Sequence, residues 1–245
     1  MRNSPPRIER GFGHERAVIR FFTFWLLAEA LFAQPPVKVL IVTGGHEHPL
    51  SFYSLFDDPS MIATVNPHPI AFNTDFRERA DVLVRYDLIP NMPEEEKRNN
   101  LRAFVESGKG VVVLHHAIID HQAWPWWYED VVGGRYLLDP ADGMPASKAR
   151  HEERMRVTVA KKHPVTEGLS DFTIEDETYK GMWISPKVQV LLTTDNPNND
   201  GPLAWLGTHP KARVVYIQLG HGSLAHRNPN YQRLVRNAVL WAAGR

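Results

Sequence analysis

The stretch Gly110-Val111-Val112-Val113-Leu114-His115-His116 constrains this chain more than any other. Four consecutive apolar residues, three of them β-branched, suit a strand covered on both faces, as in a parallel sheet. Parallel sheets place their ligands just past the carboxyl ends of their strands. Here that position carries two adjacent histidines, then Asp120 and His121. The sequence therefore points to an α/β fold with an imidazole-rich sheet edge.

Other segments build the same sheet. Residues 37–42 read as the first strand and run into Thr43-Gly44-Gly45-His46-Glu47-His48. Glycines there let the chain turn sharply. The segment lacks the G-x-G-x-x-G of a dinucleotide site and the GK[ST] ending of a phosphate loop. A short helix is expected from about Ser51 to Asp57, with weak strand candidates at 62–65 and 70–72. Residues 80–86 read as another core strand. Pro93 and Glu94, Glu95 and Glu96 open a helix whose apolar face is Leu101, Phe104 and Val105, and Gly108 ends it. This helix feeds the Gly110 strand, giving a βαβ unit with a right-handed crossover. Residues 138–150 read as a loop, 154–160 and 189–193 as strands, and 172–179 as partly extended. Residues 203–206 and 213–219 read as a hairpin, the second strand ending in Gly220-His221. A terminal helix over 230–243 carries Leu234, Val235, Ala238 and Trp241 on one face.

Composition narrows the function classes. With 245 residues, 43% hydrophobic and 23% charged, the chain suits one large α/β domain. Lys plus Arg and Asp plus Glu are both 28, so no basic nucleic-acid footprint is present. The absence of cysteine excludes disulfides, thiolate zinc and iron–sulfur sites, and a cysteine nucleophile. The turn after the central strand has neither Ser nor Cys, so covalent acyl transfer is not available there.

Residues 1–33 differ from the rest. Arg2, Arg7, Arg10, Arg16 and Arg20 precede an apolar run at 21–27 that resumes at 30–33, and Ala28-Glu29-Ala30 or Ala33 offers a cleavage point. This is the layout of a secretory signal peptide, with 34–245 as the mature domain and a periplasmic or extracellular location expected. The alternative is an amphipathic N-terminal helix in a cytoplasmic protein. The run falls short of the ~20 apolar residues of a membrane span, so none is expected.

Five histidines cluster at strand ends if these strands share a sheet: His46, His48, His115, His116 and His221. Imidazole is the commonest metal ligand, and Glu47, Asp120 or Glu177 could add a carboxylate. A mixed nitrogen and oxygen set suits zinc or another divalent transition metal. Strand alternation should turn only one of His115 and His116 towards a pocket. For each histidine alone, a hydrogen-bonded structural side chain is the competing reading.

Several segments together resemble the ThuA-like family, named for trehalose utilisation. They are residues 39–46, 110–117, Val132-Gly133-Gly134-Arg135, His163-Pro164-Val165-Thr166-Glu167-Gly168-Leu169, Asp176-Glu177-Thr178-Tyr179, residues 213–221 and Trp241-Ala242-Ala243-Gly244-Arg245. The resemblance implies a flavodoxin-like three-layer α/β/α sandwich with a mostly parallel central sheet, as in class I glutamine amidotransferases. The catalytic cysteine of that superfamily sits at the strand–turn–helix position held here by His115-His116, so amidotransferase activity is not implied. What is implied is a carbohydrate-utilisation protein acting on small trehalose-related or keto-sugar substrates. Matching the motifs nominates His116, Glu177 and His221 as catalytic groups. His46, His116 and His221 become candidate ligands of a divalent metal, zinc first, and His48, Asp120, Trp126 and Trp127 candidate sugar contacts. A non-catalytic sugar-binding or accessory protein, and a hydrolase of another substrate, stay open as alternatives.

Overall fold

The computed structural model describes Met1 and residues 34–245, so the expected leader lies outside the described residues. The strands, in chain order, are β1 (Val37–Gly44), β2 (Met61–Pro67), β3 (Val82–Asp87), β4 (Gly110–Leu114), β5 (Gly134–Arg135), β6 (Lys148–Val159), β7 (Phe172–Lys180), β8 (Trp183–Ile184), β9 (Gln189–Thr193), β10 (Pro202–Leu206) and β11 (Val214–Ile217). The α-helices are α1 (Glu95–Glu106), α2 (Ser223–His226) and α3 (Pro229–Ala242). Nine strands form one sheet in the order β2-β1-β3-β4-β11-β10-β9-β6-β7, and β5 pairs with β8 apart from it.

The β-branched runs make the parallel half, β2 through β11. Alternation sends Val112, Leu114, Val215 and Ile217 to one face, against Leu234, Val235 and Ala238 of α3. It sends Val111, Val113, Val214 and Tyr216 to the other, against Leu101, Phe104 and Val105 of α1. Both faces are thus covered, which is why these strands read as continuous apolar runs. The result is the three-layer α/β/α sandwich. β4 lies so close to α3 that a Cβ on Gly110 would overlap the Ala242 carbonyl. Asn228 caps α3 by accepting from the Asn230 amide at 2.9 Å, with Pro229 in the first turn.

Beyond β11 the sheet turns antiparallel, through β10, β9, β6 and β7. The expected hairpin is the β10–β11 pair. Residues 70–72 form a tight helical turn instead of a strand, directly after Pro69, which has no amide to give a ladder. The loop expected over 138–150 gives its last residues to β6. β6 joins β9 only through Thr158 and Val159. The rest of β6, paired with β7, therefore overhangs the edge where β4 and β11 end. This ribbon positions the site. Among the described residues no helix is long and apolar enough to cross a membrane.

Candidate functional site

The chain leaves β4 abruptly. His115 adopts φ +51°, the left-handed region that non-glycine residues seldom occupy. This break cancels the strand alternation. Both rings of the histidine pair stay at the sheet edge, 5.1 Å apart and edge to face, where alternation alone predicts one. The Tyr216 hydroxyl donates to the His115 main-chain oxygen at 3.3 Å and so fixes the turn.

The overhanging ribbon brings Glu177 onto this edge. Its Oε2 lies 2.9 Å from His115 Nε2 and 3.2 Å from His221 Nδ1, and its Oε1 lies 3.3 Å from His151 Nδ1. His115 Nδ1 donates to the Gln218 carbonyl at 2.7 Å. Its Nε2 also faces His221 Nδ1 and the Tyr179 hydroxyl, both at 3.1 Å. Asp176 secures the carrier backbone by accepting from the amides of Gly220 at 2.7 Å, His221 at 2.9 Å and Glu177 at 2.9 Å. Gly220 has φ +121°, and a Cβ there would overlap the Tyr231 hydroxyl, so glycine is required where β11 bends into the site.

Burial alone would raise the Glu177 carboxyl, but hydrogen bonds from His115 and His221 outweigh it and hold it well below the usual carboxylate range. The hydrogen bond to Glu177 raises His221 in turn, against the opposing effect of burial. Burial first, then the neighbouring His115 and His46, pushes His116 down to about 2, so its ring is neutral. Neither His116 nitrogen has a hydrogen-bond partner among the described residues. Its ring lies 4.8 Å from that of His46 and 4.6 Å from that of Tyr86. Beside the cluster opens a pocket of about 370 Å³, lined by His151, Glu152, Glu175, Asp176, His221, Gly222, Ser223, Leu224 and Ala225.

The nominated residues divide. His46, His116, Glu177 and His221 come together at the edge, the His46 and His221 rings being 6.1 Å apart. The donor atoms that converge within 4.8 Å, however, belong to His115, Glu177 and His221, not to His46, His116 and His221. His48 turns aside, its Nε2 at 3.0 Å from the Tyr53 hydroxyl and its ring edge-on to Phe52. Asp120 is buried, accepting from Arg85 at 2.7 Å and from the Ile89 amide at 2.6 Å, so it offers a sugar no free oxygen. Trp127 is buried 5.2 Å from the Arg85 guanidinium. Trp126 stacks 4.7 Å from Arg102 of α1, with His209 nearby, away from the imidazole cluster. Asp120, Trp126 and Trp127 make packing and ion-pair contacts apart from the imidazole cluster. Sequence reasoning nominates His116 ahead of His115 and does not nominate His151. It misses Tyr179 as a partner of His115, although Tyr179 closes the Asp176-Glu177-Thr178-Tyr179 segment.

The family profile described as trehalose utilisation, ThuA, matches residues 38–242. Among solved structures, a ThuA-like protein of Parabacteroides merdae is similar, with 21% identity, a TM-score of 0.74, and 85% of this chain and 90% of that chain covered. A ThuA-like protein of Bacteroides uniformis gives 22% identity and a TM-score of 0.63, covering 86% of this chain and 93% of that one. A Thermoplasma acidophilum protein described as part of a GMP synthase gives 14% identity and a TM-score of 0.55, covering 85% of this chain and 95% of that one. These likenesses establish the flavodoxin-like fold shared with amidotransferases. No curated protein matches the chain.

Proposed function

The chain belongs to the ThuA family of trehalose utilisation, and on that premise we propose that it is an enzyme acting on a trehalose-related keto-sugar at the Glu177–histidine cluster. One observation carries this reading. A buried carboxylate is contacted by three imidazoles, of His115, His151 and His221, beside a pocket of about 370 Å³. A carboxylate surrounded by histidines and opening on a pocket is an arrangement for proton and carbonyl chemistry.

The roles follow from the electrostatics. Glu177 favours the protonated form of His221, whose positive face polarises a sugar carbonyl placed against it. His46, at the same edge and open to solvent, takes the proton from the carbon next to that carbonyl. The electrons of the broken C–H bond move into the carbonyl, whose oxygen is held by the positive face, and an enediolate results. Ser223 and Glu175 on the pocket wall suit sugar hydroxyls. The test is incubation of the full-length protein with trehalose and with its keto derivative, followed by chromatography. Conversion of the keto-sugar by the wild type, and none by His221→Ala, supports the reading. Tight binding without product from either protein sinks it and leaves a sugar-binding protein.

A further inference from the structure

We infer that His115, Glu177 and His221 form a binding site for one divalent transition-metal ion, with zinc the best match. The Gln218 carbonyl can only accept, so its 2.7 Å contact places the His115 proton on Nδ1. His115 Nε2, the other ring nitrogen, lies 2.9 Å from Glu177 Oε2. The Tyr179 hydroxyl, 3.1 Å from Nε2, offers this crowd a single proton. Imidazole nitrogen and carboxylate oxygen converging in this way are the donor types that divalent transition metals bind.

The geometry suits such a cation. The three donor atoms form a triangle with edges of 2.9, 3.1 and 3.2 Å. Donors at ~2.0–2.1 Å from a tetrahedral zinc stand about 3.3 Å apart, so a shift of a few tenths of an ångström closes this triangle onto an ion. Two imidazoles and a carboxylate are a known catalytic zinc set, in which the fourth position stays open. The bond from His115 Nδ1 to a main-chain carbonyl is the outer contact that orients metal-bound imidazoles. Asp176 does the same for His221 through the backbone, by binding the amides of Gly220 and His221.

Charge and access agree with the geometry. Among the described residues no lysine or arginine pairs with Glu177; its ionic partners are the three histidines. The His221 side chain is 33% exposed and lines the pocket, so the open position faces it. His151, from the ribbon, touches the other carboxylate oxygen and sets the carboxylate's tilt. Occupation of the open position by a sugar carbonyl or hydroxyl rests on the function proposed above; metal binding does not.

The test is elemental analysis of the full-length chain, purified without a histidine tag from zinc-supplemented cells. About one zinc per chain is expected. After stripping with chelator, added zinc should raise the melting temperature, and cobalt(II) should give the visible absorption of a four- or five-coordinate site. His115→Ala, Glu177→Gln and His221→Ala should each weaken zinc binding beyond the roughly 10–100-fold typical of outer-contact changes, with unchanged far-UV circular dichroism. His163→Ala, at a distant turn, should keep its zinc. A stripped wild-type chain that neither takes up zinc, cobalt or manganese nor gains stability overturns the site, as do folded variants that bind as tightly as the wild type. Metal bound without sugar turnover supports the site and removes the proposed function. Turnover by a metal-free chain does the reverse.

Discussion

Two clusters near the carboxyl ends of neighbouring strands join carboxylates to histidines, and they differ in what supplies the positive charge. In the first, Arg85 on β3 binds Asp87 and Asp120, each at 2.7 Å, with all three side chains fully buried. His68 donates to Asp87 at 2.9 Å. His121 Nε2 accepts from Arg85 at 3.3 Å while its Nδ1 donates to the Asn91 carbonyl at 3.1 Å. Burial and then Arg85 push His121 down to about 3, so it is neutral. This network carries its own cation and is closed to solvent. In the second, the ionic partners of Glu177 among the described residues are imidazoles, and a pocket lies beside it. The same residue types make a structural clamp where arginine is included and a candidate reaction site where it is left out.

The largest expected effect separates the two. Glu177→Gln should lower turnover of the keto-sugar by about 10²–10³-fold, the range for losing electrostatic stabilisation of a developing oxyanion, while leaving the chain folded; activity assays beside circular dichroism check it. Equal loss of folding would erase the contrast. Arg85→Met should do the opposite and destabilise the fold by roughly 3–5 kcal/mol, because the buried Asp87 carboxylate loses its counter-charge. Urea unfolding reads this directly. A change under about 1 kcal/mol would show that the clamp is no clamp.

Tyr179→Phe sharpens the comparison on the open side. It removes the hydroxyl beside His115 Nε2 without opening a cavity, so turnover should fall about 10-fold, as for outer contacts of a site. The urea midpoint should stay put. A shifted midpoint with normal turnover would move Tyr179 into the structural class.

The smallest effect is one of pH. His226 donates from Nε2 to the Gly220 carbonyl at 3.0 Å, and its Nδ1 meets the Ser51 hydroxyl at 3.0 Å. Burial lowers it from 6.5 to about 4, with His115, His48 and His221 adding to the fall and the Gly220 contact opposing it. Between those values the unfolded chain takes up a proton that the folded chain refuses. The stability it contributes is therefore complete above about pH 6.5 and is lost as pH falls towards 4. Urea midpoints at about pH 7 and about pH 5 should differ more for the wild type than for His226→Gln. Equal slopes would mean that His226 does not titrate in this window.

Much of this is legible in residues. The valine run of β4 and the strand before Gly220 announce a sheet covered on both faces, and their ends hold His115, His116 and His221. Glu177 is found by its motif alone, since nothing in its spacing reveals that the β6–β7 ribbon overhangs the edge. His151 is not legible: it sits in a polar, exposed part of β6 without the alternation that marks a strand. Ranking His116 above His115 rests on continued alternation, which the left-handed turn at His115 breaks. Asp120 resembles a site residue because its partner, Arg85, lies on another strand and meets it only through the fold.

Hydrogen–deuterium exchange at the sugar reads the proposed proton abstraction itself. The full-length protein would be incubated with keto-trehalose in heavy water and the carbon-bound protons followed by NMR. The proton on the carbon beside the carbonyl should be replaced by deuterium with wild-type protein and stay in place with Glu177→Gln. Equal exchange with both proteins, or none with either, would contradict it.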